Sequence, residues 1–398
     1  MISVQYIIEN ASDVSYPEAW PGTTICHSSK SLDARDDGYW KRNLSTKYSD
    51  GKLSWTHVHN DNGSTFFSYW PPYTYSRHLK LISDCCCVIS SRTLSQYSPV
   101  VESLGQSLQG REMECIAIGS GSLTAWIIHR QHPGETMAEF FAEGLLHRLL
   151  GVGADGSLDE ATKRILEQYR LYILPCMCPD GAVMGHLRTN SVGANLNREW
   201  ATKEEYVAPT LERSPEVYAV LNKMDETGVD FFLDVHGDEE LPYVFLSGAE
   251  KTPKWSMRMQ ALHGYFVASY QRANTDVQKE IGYPPPESEE KALEYMNVGT
   301  NQVSNRFDCL GLTLEMPYKD CATNPDPDAG FSPLRAIKLG RDLIEALDCM
   351  YPYLRAEGEF WSAFGEEDGY VEPTDNYKAE GFVMLKKRFY SDVRPHDQ

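Results

Sequence analysis

Short apolar and aromatic segments, separated by polar turns, fill the first hundred residues of the chain. They are rich in Tyr, Trp, Thr, Ser and Val, and polar clusters such as Asn60–Gly63 divide them. This texture is typical of a small all-β unit. We therefore predict an N-terminal, sandwich-like domain whose strands lie near Ser3–Ile8, Lys52–Asn60, Ser64–Trp70 and Leu79–Ser90.

Beyond residue 110, buried strands are predicted to alternate with long helices, which indicates an α/β domain. Apolar residues recur at helical spacing over Thr136–Leu150, and Gly151 is placed to end that helix. Three later helices are predicted where a hydroxyl residue precedes proline, at Ser214-Pro215, Thr252-Pro253 and Ser332-Pro333. The predicted strands are Leu123–Arg130, Tyr169–Pro175, Asp230–Val235 and Gly311–Glu315.

The change of pattern gives the predicted domain division. We assign residues 1–105 to the N-terminal β-rich domain and residues 106–375 to the α/β domain. Residues 376–398 form a C-terminal tail whose role the sequence does not predict. The stretch from Ser91 to Gly110 begins polar and poor in helical signal, so it can carry the boundary.

Composition excludes several classes of partner. The chain has 398 residues, 41% hydrophobic and 24% charged, as expected of a soluble globular protein. Its 37 Lys and Arg against 57 Asp and Glu give a net charge of −20. That balance argues against nucleic acid and against an anionic membrane surface as partners. No apolar run approaches the roughly 20 residues that span a bilayer, and the N-terminus lacks the pattern of a signal peptide.

The ten cysteines indicate a reducing compartment. Three of them are adjacent, Cys85–Cys87, which is a poor framework for disulfides. We therefore expect reduced thiols and a cytoplasmic location. A zinc site built from cysteines is not expected, because the chain contains no Cys-x-x-Cys pair.

Polar clusters follow four of the predicted strands at their carboxyl ends. In open α/β sheets, the ligand crevice lies outside the carboxyl ends of the strands. The clusters are therefore predicted to converge on one site. They are His132–Glu135, Pro179–Gly181, His236–Asp238 and Glu315–Pro317.

The first and third clusters contain candidate metal ligands. His132 and Glu135 flank a Pro-Gly turn, so both side chains can face one point, and His236 ends a separate strand. Imidazole nitrogens and a carboxylate oxygen suit Zn²⁺, and catalytic zinc usually takes three protein ligands and a water. Taken alone, the His-x-x-Glu pair is a weak signal, since such a pair is more often a surface hydrogen bond or a helix N-cap.

Glu315 and the segment Gly185–Trp200 supply the other candidate chemistry. Glu315 closes a buried strand and could act as general base on a zinc-bound water. A salt-bridged structural glutamate is the alternative. Arg188, Asn197 and Arg198 suit the binding of an anionic substrate group, although a solvated loop would also explain them.

Together these residues resemble the zinc metallocarboxypeptidases of the M14 family, in their cytosolic carboxypeptidase-like subfamily of bacterial type. The matching segments span most of the chain in family order. They are Phe66–Tyr73 (FFSYWPPY), Ser103–Arg111 (SLGQSLQGR), Ile128–Thr136 (IHRQHPGET), Pro179–Gly181 (PDG), Asn195–Trp200 (NLNREW), Asp234–Gly237 (DVHG) and Thr313–Pro317 (TLEMP). The resemblance implies an α/β fold with a central mixed β-sheet flanked by helices, in which residues 106–375 are the catalytic domain.

The resemblance also implies a reaction. One Zn²⁺ per chain would be bound by His132, Glu135 and His236, with a water as fourth ligand. Glu315 would act as general base and activate that water against the C-terminal peptide bond of a peptide or protein tail. Glu315 would later pass the proton to the leaving amine.

The same resemblance implies roles for three residues of the segment Gly185–Trp200. Asn197 and Arg198 would bind the free C-terminal carboxylate of the substrate. Arg188 would polarise the scissile carbonyl and stabilise the oxyanion.

The preference for the C-terminal side chain is not predicted. Many relatives act on acidic C-terminal residues and carry a basic residue in the pocket that binds that side chain. In this chain the corresponding position falls on Asn301 or Gln302, which are neutral. Arg306 is the nearby basic residue and is a candidate for substrate binding. Tyr243 and Tyr318 lie near motifs, and neither is assigned as the tyrosine that contacts substrate in the wider family.

Two alternative functions stay open. Zinc amidohydrolases of the aspartoacylase type use a similar His-x-x-Glu plus His site on N-acyl amino acids. The preceding β-rich domain and the Asn-Arg pair disfavour that assignment. A catalytically silent, peptide-binding relative is the other alternative, and the presence of every core residue disfavours it. The sequence leaves a homo-oligomer open.

Overall fold

A computed structural model describes residues 1–30, 40–60, 63–91, 93–152, 157–201 and 208–365, so the predicted tail lies outside it. The N-terminal part forms two three-stranded sheets, ordered β1-β5-β4 and β3-β2-β6. Their strands are β1 Ile2–Ile8, β2 Cys26–Ser28, β3 Lys41–Arg42, β4 Lys47–Ser49, β5 Lys52–His59 and β6 Phe66–Ser68. The ring of Phe67 packs against Tyr6 and Trp55, with centroids 4.7 and 5.5 Å apart. The strand-rich N-terminal region is thus as predicted.

The prediction of a strand at Leu79–Ser90 is wrong, because this segment belongs to helix α1, Tyr75–Ser90. The Thr74 side chain caps this helix by accepting a hydrogen bond from the Arg77 amide. Its buried residues His78, Leu81, Ile82 and Cys85 follow helical spacing. The β-branched and cysteine content suggested a strand, but the cap and the one-sided burial favour a helix.

The rest of the chain builds a seven-stranded mixed sheet of order β12-β13-β11-β9-β10-β8-β7. The pairs among β13, β11, β9 and β10 are parallel, and the strands outside them are antiparallel. The predicted α/β fold with a central mixed sheet is therefore confirmed. Its strands are β7 Val100–Gln106, β8 Glu112–Ile118, β9 Leu123–His129, β10 Tyr169–Leu174, β11 Phe231–Asp238, β12 Phe245–Ser247 and β13 Leu310–Pro317.

Helices cover both faces of this sheet. They are α2 Met137–Leu150, α3 Glu160–Gln168, α4 Pro179–Met184, α5 Pro215–Thr227, α6 Met257–Ala273, α7 Glu289–Leu293, α8 Gly299–Phe307 and α9 Pro333–Met350. A hydrophobic core lies on each face of the sheet, and alternate residues of β9 point into one or the other. Ile127 packs with α2, α6 and α9, whereas Trp126 packs with α5. No helix in the described part of the chain is long and apolar enough to span a membrane.

One helix starts later than predicted, and the predicted domain division lies inside a strand. The helix predicted to start at Thr252-Pro253 begins instead at Met257, where Ser256 caps it, because the Thr252 hydroxyl donates to the Ala249 carbonyl in a turn. The division predicted at residue 105 falls within β7, whose pairing with β8 places it in the large sheet. The division itself stays a prediction.

Arg42 joins the N-terminal part to the loop that follows β13. Its buried guanidinium donates hydrogen bonds to the carbonyls of Thr24, Tyr318, Ala329 and Phe331, at 2.8–3.3 Å. A guanidinium has five donors and must satisfy them when buried. The N-terminal sheets are therefore fixed to the strand that carries Glu315.

Candidate active site

Three neighbouring parallel strands bring the candidate catalytic residues together. His132 and Glu135 follow β9, while His236 and Glu315 lie at the carboxyl ends of β11 and β13. In the sheet register, His236 is directly opposite Glu315. The convergence predicted from strand ends therefore rests on adjacent strands of one sheet.

His132, Glu135 and His236 form a tight, buried cluster. His132 Nδ1 lies 2.6 Å from Glu135 Oε1, and His236 Nδ1 lies 2.7 Å from Glu135 Oε2. The two Nδ1 atoms are 3.2 Å apart. Within the described ranges, these are the only residues whose ligand atoms group closely enough for a metal ion.

This donor set fits zinc. Two nitrogens at about 2.05 Å from one ion in tetrahedral geometry lie about 3.3 Å apart, close to the 3.2 Å between His132 Nδ1 and His236 Nδ1. Burial and the Arg188 charge lower the pKa of His132 to about 3. The imidazole is therefore neutral near pH 7, as a metal ligand must be.

The backbone between β9 and α2 sets the direction of the first two ligands. A Cβ on Gly134 would come within 2.7 Å of the Leu187 carbonyl oxygen, to which the Gly134 amide donates. Only glycine allows that close approach. Before the turn, Arg130 has φ of +57° and forms a buried ion pair with Glu139, which holds the strained backbone next to His132.

Glu315 is a buried carboxylate beside this cluster. The Tyr283 hydroxyl lies 3.2 Å from Glu315 Oε1 and donates to Asp238 Oδ2 at 2.5 Å. Burial raises the pKa of Glu315 well above its usual value, and the carboxylates of Glu135 and Asp238 act in the same direction. The site can therefore hold a proton on Glu315.

The candidates for contacting the substrate, Arg188, Asn197 and Arg198, lie in the segment before α5. Asn197 Nδ2 lies 3.5 Å from His236 Nε2, and its Oδ1 accepts from the Gly299 amide at 2.8 Å. Arg198 is half-buried and donates to the Asn197 carbonyl. Arg188 is close enough to His132 to lower its pKa, and its guanidinium lies 5.7 Å from the ring centroid of Tyr16.

Arg306 does not join this group. Its guanidinium makes two hydrogen bonds to Asp225, at 2.6 and 2.8 Å, on the exposed side of α8. Arg306 is seven residues after Gly299, which lies next to Asn197, and a helix rises about 1.5 Å per residue. We therefore leave Arg306 out of the proposed substrate site.

Sequence reasoning missed three polar residues at the site. Asp234 precedes His236 by two positions on β11, so its place on the same strand face was a usable signal. Asn195 lies beside His132. Tyr283 reaches Glu315 from an irregular segment, where no periodicity predicts direction. Of the two tyrosines near motifs, Tyr318 is buried, and its ring packs at a tilt of 33° against Tyr69 with centroids 4.7 Å apart.

Comparison with known proteins agrees with this geometry. Residues 92–329 match the family model described as zinc carboxypeptidase, M14. Residues 2–70 match the model of the cytosolic carboxypeptidase N-terminal domain. An uncharacterized protein of Zymomonas mobilis is 39% identical over 90% of this chain and 86% of its own length.

Two further relatives extend the comparison. A metallo-carboxypeptidase structure from Pseudomonas aeruginosa, in complex with (2-guanidinoethylmercapto)succinic acid, is 34% identical with a TM-score of 0.77. The match covers 89% of this chain and 87% of that one. Human cytosolic carboxypeptidase 6 is 27% identical over 46% of this chain, and the match spans 35% of the human protein.

Proposed function

The chain belongs to the M14 family of zinc carboxypeptidases, and on that premise we propose that it is a zinc-dependent exopeptidase. It hydrolyses the C-terminal peptide bond of a peptide or protein tail. The observation that carries this proposal is the grouping of His132, Glu135, His236 and Glu315 at the ends of three adjacent strands.

His132, Glu135 and His236 would hold the zinc ion. Their two imidazoles and one carboxylate leave a fourth tetrahedral position for water or substrate. When bound, zinc supplies Lewis acidity, which polarises a carbonyl group and lowers the pKa of water. Burial of all three side chains keeps bulk water from competing for the ligands.

Glu315 would move the proton. Its carboxylate accepts a proton from the attacking water and returns it to the leaving amine. The Tyr283 hydroxyl, which donates to Asp238, lies 3.2 Å from Glu315 Oε1 and so restricts the orientation of that carboxyl group.

The segment Gly185–Trp200 would recognise the substrate. Asn197 and Arg198 bind the terminal carboxylate, which makes the enzyme an exopeptidase, and Arg188 stabilises the oxyanion. The Pseudomonas aeruginosa relative binds a succinic acid derivative, and carboxylates of that kind suit the same clamp. We infer no preference for the side chain of the terminal residue.

We also propose a cytoplasmic location and the two-domain division at residue 105. All ten cysteines lie in described residues, and each is free, which suits a reducing compartment. Relatives named as cytosolic carboxypeptidases support the same location.

Replacement of Glu315 by Gln tests the proposed roles. Gln keeps the shape of the side chain and removes the base, so we expect a loss of turnover of about 10²–10⁴-fold. Zinc measured by elemental analysis should stay at one ion per chain, because Glu315 is not a ligand. Loss of the metal in this variant, or turnover equal to that of the wild-type protein, would contradict the assignment.

A further inference from the structure

We propose that a buried polar relay orients His236 as a metal ligand and sets the affinity of the site for zinc. The relay consists of Trp200, Gln131 and Asp234, and we call it the Trp200 relay. This inference rests on the proposed function, since it concerns the same metal site.

Two hydrogen bonds and one close ion-pair contact connect an indole to an imidazole. Trp200 Nε1 donates to Gln131 Oε1 at 2.8 Å, and Gln131 Nε2 donates to Asp234 Oδ2 at 2.5 Å. Asp234 Oδ1 then lies 2.9 Å from His236 Nε2. All four side chains are buried, with relative exposures of 0–1%.

The carboxylate fixes which nitrogen of His236 is available to a metal. Asp234 Oδ1 is buried and makes no hydrogen bond in the described chain, and His236 Nε2 lies 2.9 Å from it. An ionised carboxylate only accepts hydrogen bonds, so the atom facing it must carry the proton. With the proton on His236 Nε2, the lone pair is on Nδ1, which faces Glu135 and His132.

The two histidine ligands are supported unequally. His132 Nε2 lies 3.1 Å from Asn195 Oδ1, a neutral amide oxygen. His236 alone has a carboxylate behind it. A carboxylate partner raises the basicity of an imidazole ligand more than an amide does, so the carboxylate behind His236 should contribute more to zinc binding than the amide behind His132.

Packing holds the relay in one position. A Cβ on Gly299 would lie 3.2 Å from Trp200 Nε1 and 3.3 Å from Gln131 Nε2. Glycine at this position therefore lets the relay pack directly against the start of α8. The Trp200 amide also donates to the Asn297 carbonyl, which ties the relay to the segment that leads into α8.

Zinc affinity, measured by competition with a chromogenic chelator, tests the relay. We expect Asp234→Asn to weaken zinc binding by about 10–100-fold, because the amide removes the charge at constant shape. Trp200→Phe should weaken it less, since the carboxylate remains. Trp126→Phe is the matched control: Trp126 is equally buried, but its Nε1 donates to Thr227, at the opposite end of the sheet.

The melting temperatures of the metal-free proteins are measured alongside, and a loss of zinc affinity that does not follow the order of these temperatures separates positioning from a purely structural role. A gain-of-affinity variant covers the case in which Asp234→Asn fails to fold. Asn195→Asp places a second carboxylate behind a ligand, His132, and should tighten zinc binding by about tenfold.

Three results would overturn the relay. They are wild-type zinc affinity in Asp234→Asn or in Trp200→Phe, equal weakening in Trp126→Phe, and unchanged or weaker zinc binding in Asn195→Asp. Failure of the proposed function looks different. In that case the wild-type protein binds zinc and cleaves no peptide, while the order of zinc affinities among the variants still decides whether the relay exists.

Discussion

Arg198 is the residue on which recognition of a free C-terminus chiefly depends. Replacing it with Ala removes a charge-assisted contact to the substrate carboxylate, worth about 1.5–3 kcal/mol. We expect KM for free-acid peptides to rise about 10–100-fold, with a smaller change in kcat. Steady-state kinetics on one peptide series measures this.

Arg306→Ala is the control for this prediction, because Arg306 pairs with Asp225 at the surface. It should leave KM unchanged. An equal rise of KM in Arg306→Ala would mean that the substrate site extends to α8, as the sequence suggested. An unchanged KM in Arg198→Ala would remove Arg198 from the clamp.

Tyr283 is the polar side chain that contacts both Glu315, the proposed general base, and Asp238. Its hydroxyl contacts Glu315 and Asp238, and its ring packs edge-on against Phe245 with centroids 4.9 Å apart. Tyr283→Phe removes the shared donor and keeps the ring. We expect kcat to fall about tenfold, since a hydrogen bond to a charged group is worth about 1.5–3 kcal/mol. Wild-type kcat in this variant would show that the contact does not orient the base.

At the residue scale, the sequence predicted which side chains could form the site because strand ends fix their place. His132, His236 and Glu315 each terminate or follow a buried strand. Arg306 lies apart from the cluster, paired with Asp225, because the nearness of a charge along the chain says nothing about its direction on a helix. Tyr283 could not be found, since its segment has no regular spacing.

At the scale of elements, α1 shows where local pattern fails. The run from Leu79 to Ser90 contains the residue types of a strand, yet it buries one helical stripe. Tertiary contacts decide between the two, and one of them is polar: His78 Nδ1 lies 2.8 Å from Glu139 Oε1 on α2. Only the folded structure brings that partner within reach.

The ion pair between α1 and α2 gives a pH-dependent stability. Burial opposes protonation of His78, but Glu114 and Glu139 raise its pKa to about 9. His78 therefore stabilises the fold fully below its unfolded pKa near 6.5, and this contribution is lost as pH rises through about 9. At 1.36 kcal/mol per pKa unit, the effect is about 3 kcal/mol.

We expect His78→Gln to lower the free energy of unfolding by about 3 kcal/mol more at pH 6 than at pH 10. Urea unfolding at the two pH values measures the difference. An equal loss at both values would mean that His78 acts by packing and not by its charge.

At the scale of the whole molecule, the N-terminal sheets are fixed to the catalytic strand through Arg42. Arg42→Ala leaves the buried carbonyl of Tyr318 without its donor and removes one of the two donors of the Phe331 carbonyl, the other being Trp70 Nε1. Unsatisfied buried groups cost about 1–3 kcal/mol each, so we expect the free energy of unfolding to fall by about 3 kcal/mol and kcat to fall with it. Lys41→Ala, on the exposed neighbour in β3, is the control and should change neither quantity. Full kcat in Arg42→Ala would show that the N-terminal sheets do not support the site.

The central claim is that this protein removes single residues from free C-termini by means of the zinc site and Glu315. The most direct measurement is mass spectrometry of peptides incubated with the zinc-loaded protein. Each peptide would be supplied with a free and with an amidated C-terminus, and Glu315→Gln would serve as the control. The account predicts ladders of single-residue loss from the free-acid peptides only, and none with Glu315→Gln. Equal cleavage of amidated peptides, or turnover of N-acetyl amino acids with no peptide cleaved, would contradict it.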